Sequence, residues 1–62
     1  MKEHFNEFEI FTSNIDIQRN GITIPKGSMG TVLECFDNNF YLVEFEDIMG
    51  IFEIQRNMMQ MI

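Results

Sequence analysis

Two strand-like runs separated by a turn signal constrain the fold of this chain more than any other feature. Residues 31–36 are mostly β-branched, apolar or aromatic, and residues 40–45 alternate between two faces. Because successive side chains of a strand point to opposite sides of a sheet, this alternation predicts a half-buried strand. Between the runs, residues 37–39 (Asp-Asn-Asn) tolerate positive φ angles and predict a short hairpin turn. The predicted inward face carries Tyr41, Val43 and Phe45, and the outward face carries Leu42 and Glu44.

An alternating segment at residues 7–12 predicts the first strand. Phe8 and Ile10 fall on its predicted inward face. Phe11 falls on the opposite, nominally exposed face. Three arrangements are compatible with this position: Phe11 packs under a loop, another element covers that face, or Phe11 contributes exposed apolar surface. Residues 1–4 are predicted to fray, as chain ends do unless other contacts hold them.

The remaining segments predict a long connection that leaves the sheet (the excursion), one bend and one more strand. Residues 13–27 read as two extended arms around an Asn-Gly turn rather than as a full pair of sheet strands. Gly30 predicts a sharp bend or a bulge at the entry to the hairpin. Residues 46–50 predict the next turn, with Gly50 at positive φ. Residues 51–55 predict the last strand, with Phe52 and Ile54 facing inward.

Short strands separated by frequent turns predict an all-β domain. Strands with turns about every eight to twelve residues are typical of a sandwich or a barrel. The 62 residues are too few for a sandwich of about seven strands, so the length favours a small five-stranded SH3-like barrel. We predict one domain over residues 1–62, with its core in 7–55 and a Met-rich tail at 56–62. The tail is too short for a stable isolated helix and predicts one docked turn or a short edge strand.

The charge balance limits the classes of partner. Ten acidic and four basic residues give a net charge of −6, and the acidic residues are spread along the chain. Binding to a phosphate backbone requires Lys and Arg to displace counterions, so we expect no nucleic-acid partner. A spread acidic surface favours a basic protein partner, or it simply keeps the chain soluble.

The sequence contains no constellation that points to catalysis or to a cofactor. His4 is the only histidine, whereas a zinc site needs about three or four ligands. Cys35 has no adjacent base to activate it as a nucleophile. Residues 27–30 (Gly-x-x-Gly) lack the Lys and the following helix of a phosphate-binding loop. We therefore predict a protein that is not an enzyme and that uses no metal or cofactor.

The chain also predicts a cytoplasmic protein with no membrane association. Cys35 has no partner for an intrachain disulfide, which is compatible with a reducing cytosol. The first residues lead into acidic and apolar alternation rather than the apolar stretch of a signal peptide. No run approaches the roughly 18 apolar residues of a membrane span.

Three stretches carry a resemblance to a known family: Ile24-Pro25-Lys26-Gly27-Ser28-Met29-Gly30-Thr31-Val32-Leu33, then Tyr41-Leu42-Val43-Glu44-Phe45, then Gly50. Together they resemble a family of small bacterial proteins of unknown function with the pattern Lys-Gly-x-x-Gly-Thr-Val, then Tyr-x-Val-Glu-Phe. The pattern is also similar to the KOW-type barrels of ribosomal and transcription proteins and to the barrel of nitrile hydratase beta subunits. The resemblance covers residues 7–55 and implies an SH3-like barrel and partner binding. Leu42, where the family usually has a polar residue, and the Met-rich end depart from the pattern.

The favoured function is a non-enzymatic protein-binding module that acts stoichiometrically on a basic partner, as an inhibitor or as an immunity- or antitoxin-type protein. The small size, the charge of −6 and the lack of catalytic chemistry favour it. Two alternatives stay open: a KOW-like accessory to RNA or ribosomes, and a structural domain that only self-associates. The candidate partner-binding residues are the carboxylates Glu44, Glu46 and Asp47 and the apolar side chains Leu42, Phe11, Met58, Met59 and Met61.

The apolar tail predicts either a lid or a homodimer. Residues 57–62 carry no charge, and four of them are Met or Ile. Monomers seldom leave such a patch uncovered. The tail therefore folds back over its own barrel, or it packs against a second chain in a two-fold dimer. We favour the dimer, because a small core gains stability from a partner.

Overall fold

The fold is all-β, and the predicted hairpin lies near the middle of its main sheet. The computed structural model describes residues 4–62, and no α-helix forms within this range. In chain order the elements are β1 (Ile10–Ser13), β2 (Ile17–Arg19), β3 (Ile22–Ile24), β4 (Met29–Cys35), β5 (Phe40–Phe45), β6 (Ile48–Gln55), a 3-10 helix (Arg56–Met58) and β7 (Met59–Met61). Five strands form one antiparallel sheet in the order β6-β5-β4-β1-β7, and β2 pairs with β3 in a separate sheet.

The predicted hairpin is confirmed in its turn and in its inward face. Asn38 and Asn39 have φ angles of 68° and 64°, in the left-handed region that Asn tolerates. Tyr41, Val43 and Phe45 are buried, because the inward side of β5 faces the core. Period-two alternation and turn chemistry were sufficient here, since both are local properties of the chain.

The next turn is shorter than predicted. Residues 46 and 47 alone connect β5 to β6, and Phe45 pairs directly with Ile48. Gly50 does have a positive φ of 127°, but it lies inside β6, where the register with β5 shifts. The inward positions predicted for Phe52 and Ile54 are confirmed, since both are buried.

The predicted inward face of the first strand is wrong. Phe11 is fully buried, whereas Phe8 is 71% exposed and Ile10 is 43% exposed. Phe8 has a φ of 67°, which breaks the extended conformation, and the strand begins only at Ile10. Alternation counted from residue 7 therefore assigns the wrong side of the strand.

Gly30 has a different role from the bend that was predicted. It pairs with Phe11 in the β1–β4 ladder, and a Cβ atom added at Gly30 would lie 2.7 Å from Cζ of Phe11. The glycine leaves room for this aromatic ring. The register shift in β4 lies further on, between Val32 and Glu34.

The predicted excursion leaves the main sheet, but its two arms pair with each other. β2 and β3 form a short hairpin around Asn20-Gly21, whose φ angles are 52° and 77°. Ile17 and Ile24 are register partners and are both buried. Ser13 anchors the end of the excursion, because its hydroxyl donates to the carbonyl of Pro25 at 2.9 Å.

The core extends beyond residues 7–55 at both ends. Phe5 is fully buried, and its N–H donates to Oη of Tyr41 at 3.1 Å. Residues 1–3 of the predicted frayed end lie outside the described residues, whereas Nδ1 of His4 is 3.0 Å from the same hydroxyl. At the other end, Met59 is buried in the core. The buried hydrophobic residues are Phe5, Phe11, Ile17, Ile24, Val32, Tyr41, Val43, Phe45, Phe52, Ile54 and Met59.

The Met-rich tail folds back onto its own chain. This is the first of the two arrangements predicted for it, the other being packing against a second chain. Its first part is the 3-10 helix, and its second part, β7, pairs with β1. The N–H of Arg56 donates to the carbonyl of Asn39 at 2.8 Å, and the N–H of Asn14 donates to the carbonyl of Met58 at 3.1 Å. The helix is therefore fixed to two loops, and it connects the two edge strands of the sheet.

Candidate functional site

A row of three side chains crosses the outer face of β4, β5 and β6. Leu42 is the register partner of Glu34 on one side and of Glu53 on the other. Register partners in an antiparallel sheet project from the same side, with Cβ atoms about 4.5–5.5 Å apart. Leu42 is half-buried and the two glutamates are exposed. An apolar side chain is therefore flanked by two carboxylates.

Further side chains extend this row along the same hairpin. Glu44 lies two residues beyond Leu42 on the outward side of β5 and is exposed. Ile51 lies on the outward side of β6 and is 61% exposed. The exposed residues Glu46 and Asp47 form the tight turn that closes the hairpin. We call this set the acidic face: Glu34, Leu42, Glu44, Glu46, Asp47, Ile51 and Glu53.

The basic side chains that the structure describes lie elsewhere. Arg19 is in β2, with Nη2 3.8 Å from Sδ of Met58. Lys26 follows β3, and its backbone N–H donates to Oδ1 of Asp16. Arg56 is in the 3-10 helix, where its guanidinium stacks 4.6 Å from the centroid of the Phe5 ring. The acidic face therefore carries five carboxylates and no cation of its own.

The structure brings four of the predicted partner-binding residues together. Leu42, Glu44, Glu46 and Asp47 all belong to the acidic face, where the three carboxylates are exposed and Leu42 is half-buried. Sequence analysis missed Glu34, Glu53 and Ile51 as members of this face. Alternation within β4 and β6 could have placed each of them on an outward side, but only the strand register shows that they surround Leu42.

The other four predicted residues do not join this face, and two of them are core residues. Phe11 and Met59 are buried, so the expectation that they present apolar surface to a partner is wrong. Both are buried because β1 and β7 pair and direct these side chains inward. Met58 is half-buried beside the core, and Met61 is 38% exposed at the edge of the sheet.

A small pocket lies between the β4–β5 turn and the 3-10 helix. Its volume is about 280 Å³, and it is lined by Asn38, Asn39, Gln55, Arg56 and Asn57. Ligand pockets are usually about 300–1,000 Å³ and mostly apolar. This pocket is slightly smaller and no aromatic or aliphatic side chain lines it, so it lacks the features of a typical ligand site.

The thiol of Cys35 is not activated for chemistry. Burial raises the pKa of the Cys35 thiol, and the nearby carboxylates of Glu7, Glu34 and Glu9 raise it further. The Sγ atom lies 3.1 Å from the carbonyl oxygen of Phe5. Since the thiolate is the nucleophilic form, a raised pKa makes this thiol a poor nucleophile at neutral pH.

Metal-binding and membrane-spanning features are absent from residues 4–62. No group of three or more potential metal-binding side chains occurs in this range. None of its helices has the length and the hydropathy needed to cross a membrane. Comparisons with protein-family models, curated proteins and solved structures find no match for this chain.

Proposed function

We propose that the sheet closes into a small SH3-like barrel of the kind that the sequence resembles. The support comes from the strand order, because the edge strands β6 and β7 are joined by only the three residues of the 3-10 helix. In a flat sheet these edges would be about four strand spacings apart, or roughly 19 Å. A three-residue 3-10 helix rises only about 6 Å. A strongly curled sheet accounts for this short connection.

On this scaffold the favoured function is a non-enzymatic protein-binding module that acts stoichiometrically on a basic protein. An inhibitor or an immunity- or antitoxin-type protein belongs to this class. The observation that carries the proposal is the position of Leu42, half-buried between the exposed carboxylates of Glu34 and Glu53. Glu44 and the Glu46-Asp47 turn extend the negative charge along the hairpin.

This arrangement resembles the typical organisation of a protein–protein interface. Such interfaces combine an apolar centre with a polar rim that stays accessible to water. On the acidic face, Leu42 and Ile51 supply apolar contact area, and five carboxylates surround them. Charge complementarity of the rim accelerates the encounter with a basic partner and excludes acidic competitors. A nucleic acid is such a competitor, since its phosphates would be repelled.

The proposal is tested with two variants of equal net charge. E34Q/E53Q removes two carboxylates from the acidic face, and Q18K/D37N changes the charge by the same amount at exposed positions elsewhere. Both change the net charge from −6 to −4, since each adds two charge units. We expect wild type and Q18K/D37N to retain the same basic protein from a host-cell extract, and E34Q/E53Q to retain much less of it.

The complex with the purified partner should also respond to salt. We expect its Kd to rise as the salt concentration rises, because screening weakens the attraction between opposite charges. Equal retention of the partner by both variants would exclude the acidic face as the binding surface. Salt-sensitive retention of RNA would instead support the RNA-associated alternative.

A further inference from the structure

A second face lies on the outer side of β7, β1 and the first residues of β4, and its own residues are uncharged. Thr12 pairs with Met29 on one side and with Gln60 on the other. Ile10 pairs with Thr31, and Ile62 follows β7 on the side next to Ile10. We call this set the uncharged face: Ile10, Thr12, Met29, Thr31, Gln60 and Ile62. Three of these side chains are large, apolar and at least 41% exposed: Ile10, Met29 and Ile62.

Phe8 adds an exposed aromatic residue whose backbone lies beside β4 at one end of this face. It lies two residues before Ile10, and its N–H donates to the carbonyl of Val32 at 2.6 Å, next to Thr31 in β4. Its φ of 67° is a strained conformation for a bulky residue, and 71% of the residue is exposed. Strain of this kind persists only where the surroundings enforce it, and it is concentrated at functional sites.

We propose that the uncharged face and Phe8 form a two-fold interface between two copies of this chain. A two-fold interface brings the same patch of each copy together, so every carboxylate in it would face a like charge. Each copy has a net charge of −6, and the acidic face is therefore the least suitable surface for this contact. The six residues of the uncharged face carry no carboxylate, so two copies bring fewer like charges together there than at the acidic face. The nearest carboxylates lie at its edge, on Glu44, the register partner of Thr31, and on Glu7 and Glu9, which flank Phe8. A basic partner gains nothing electrostatic from this face.

The size of the chain allows this interface and the acidic face to coexist. A standard interface buries about 800 Å² on each partner. That is roughly a fifth of the 4225 Å² of accessible surface that the described residues present. β4 contributes different residues to the two faces, which meet where Thr31 of the uncharged face pairs with Glu44 of the acidic face. The dimer would present two acidic faces, one on each copy.

Dependence on salt separates this interface from the one proposed for the basic partner. Two copies of the same negative charge repel each other, and salt screens that repulsion. Self-association should therefore strengthen as the salt concentration rises, whereas binding of a basic partner should weaken. The two proposals thus fail independently, because each interface is measured through a salt dependence of opposite sign.

The test is sedimentation equilibrium of wild type and two matched variants. Ile10→Glu places a carboxylate in the uncharged face, and Met49→Glu makes the same kind of change at a 94% exposed residue of β6. We expect wild type and Met49→Glu to dimerise with a Kd of about 100 μM or tighter, and Ile10→Glu to bind at least roughly tenfold more weakly. Circular dichroism checks that each variant keeps its β structure.

Phe8→Asn tests the interface without introducing a charge, unlike Ile10→Glu. Asn adopts positive φ more readily than Phe, so the monomer should melt at an equal or higher temperature. We expect dimerisation to weaken all the same, because the aromatic contact is lost. Unchanged dimerisation in this variant would remove Phe8 from the interface. A wild-type chain that stays monomeric at high salt, or a dimer that only Met49→Glu disrupts, would overturn the proposal.

Discussion

The ring of Phe11 packs against the α-carbon of Gly30 on the neighbouring strand. The two residues are register partners in the β1–β4 ladder, and a Cβ added at Gly30 would lie 2.7 Å from Cζ of Phe11 and 3.0 Å from the carbonyl oxygen of Glu44. The fully buried ring continues toward Phe45, whose centroid is 5.6 Å away. Because Gly30 has no side chain, the ring of Phe11 can occupy this space in the core.

Gly30→Ala should destabilise the protein by about 1–3 kcal/mol, because the added methyl group overpacks the site. Urea denaturation measures the change. Phe11→Leu, which shortens the opposing side chain, should reduce the effect of Gly30→Ala. A double-mutant cycle should therefore give a coupling of about 0.5–3 kcal/mol. Strictly additive effects of the two changes would contradict the contact.

Tyr41→Phe should destabilise the protein by about 1–3 kcal/mol, because it leaves a buried donor without an acceptor. The Tyr41 hydroxyl accepts a hydrogen bond from the N–H of Phe5 at 3.1 Å and lies 3.0 Å from Nδ1 of His4. Hydrogen exchange at the Phe5 amide should accelerate in the variant. If this amide exchanged at the same rate in both proteins, the bond would not hold the N-terminal segment.

Met59→Ala should cost about 2–5 kcal/mol, as other truncations of buried methionines do. Met59 is 1% exposed, whereas Met61, two residues further along β7, is 38% exposed. Met61→Ala is the matched control and should cost less than about 1 kcal/mol. Thermal melts of both variants at one protein concentration provide the comparison. Equal losses would mean that β7 does not direct Met59 into the core.

The Cys35 thiol should be alkylated more slowly by iodoacetamide at neutral pH than the same thiol in the unfolded chain. Burial, followed by the carboxylates of Glu7, Glu34 and Glu9, raises its pKa in the folded state. The unfolded thiol therefore loses its proton at a lower pH than the folded one. This contribution to stability is complete below the unfolded pKa, about 8.5, and is lost as the pH rises through the folded pKa.

Cys35→Ala isolates this contribution from that of other groups that titrate in alkali. The wild-type protein should lose more stability than Cys35→Ala as the pH rises above about 8.5. Urea denaturation at several pH values measures the difference. Parallel curves for the two proteins would show that the thiol has the same pKa in the folded and unfolded states.

Local pattern was sufficient wherever a feature depends on neighbours in sequence. The turn at Asn38 and Asn39 follows from their tolerance of positive φ, and the inward side of β5 follows from alternation within one strand. The all-β class follows from many short strands separated by turns. Local pattern also identified Leu42, Glu44 and the Glu46-Asp47 turn of the acidic face. Alternation places Leu42 and Glu44 on the outward side of β5, and Glu46 and Asp47 lie in a predicted turn.

Tertiary structure decided what depends on pairing between distant segments. Phe11 is inside and Phe8 outside because the backbone leaves the extended conformation at Phe8, which alternation cannot detect. Phe5 enters the core through Tyr41, 36 residues away in sequence. Glu34 and Glu53 flank Leu42 only because the register of three strands aligns them. A period of two specifies which residues share a face of one strand, but register across strands is set by the packing of the whole sheet.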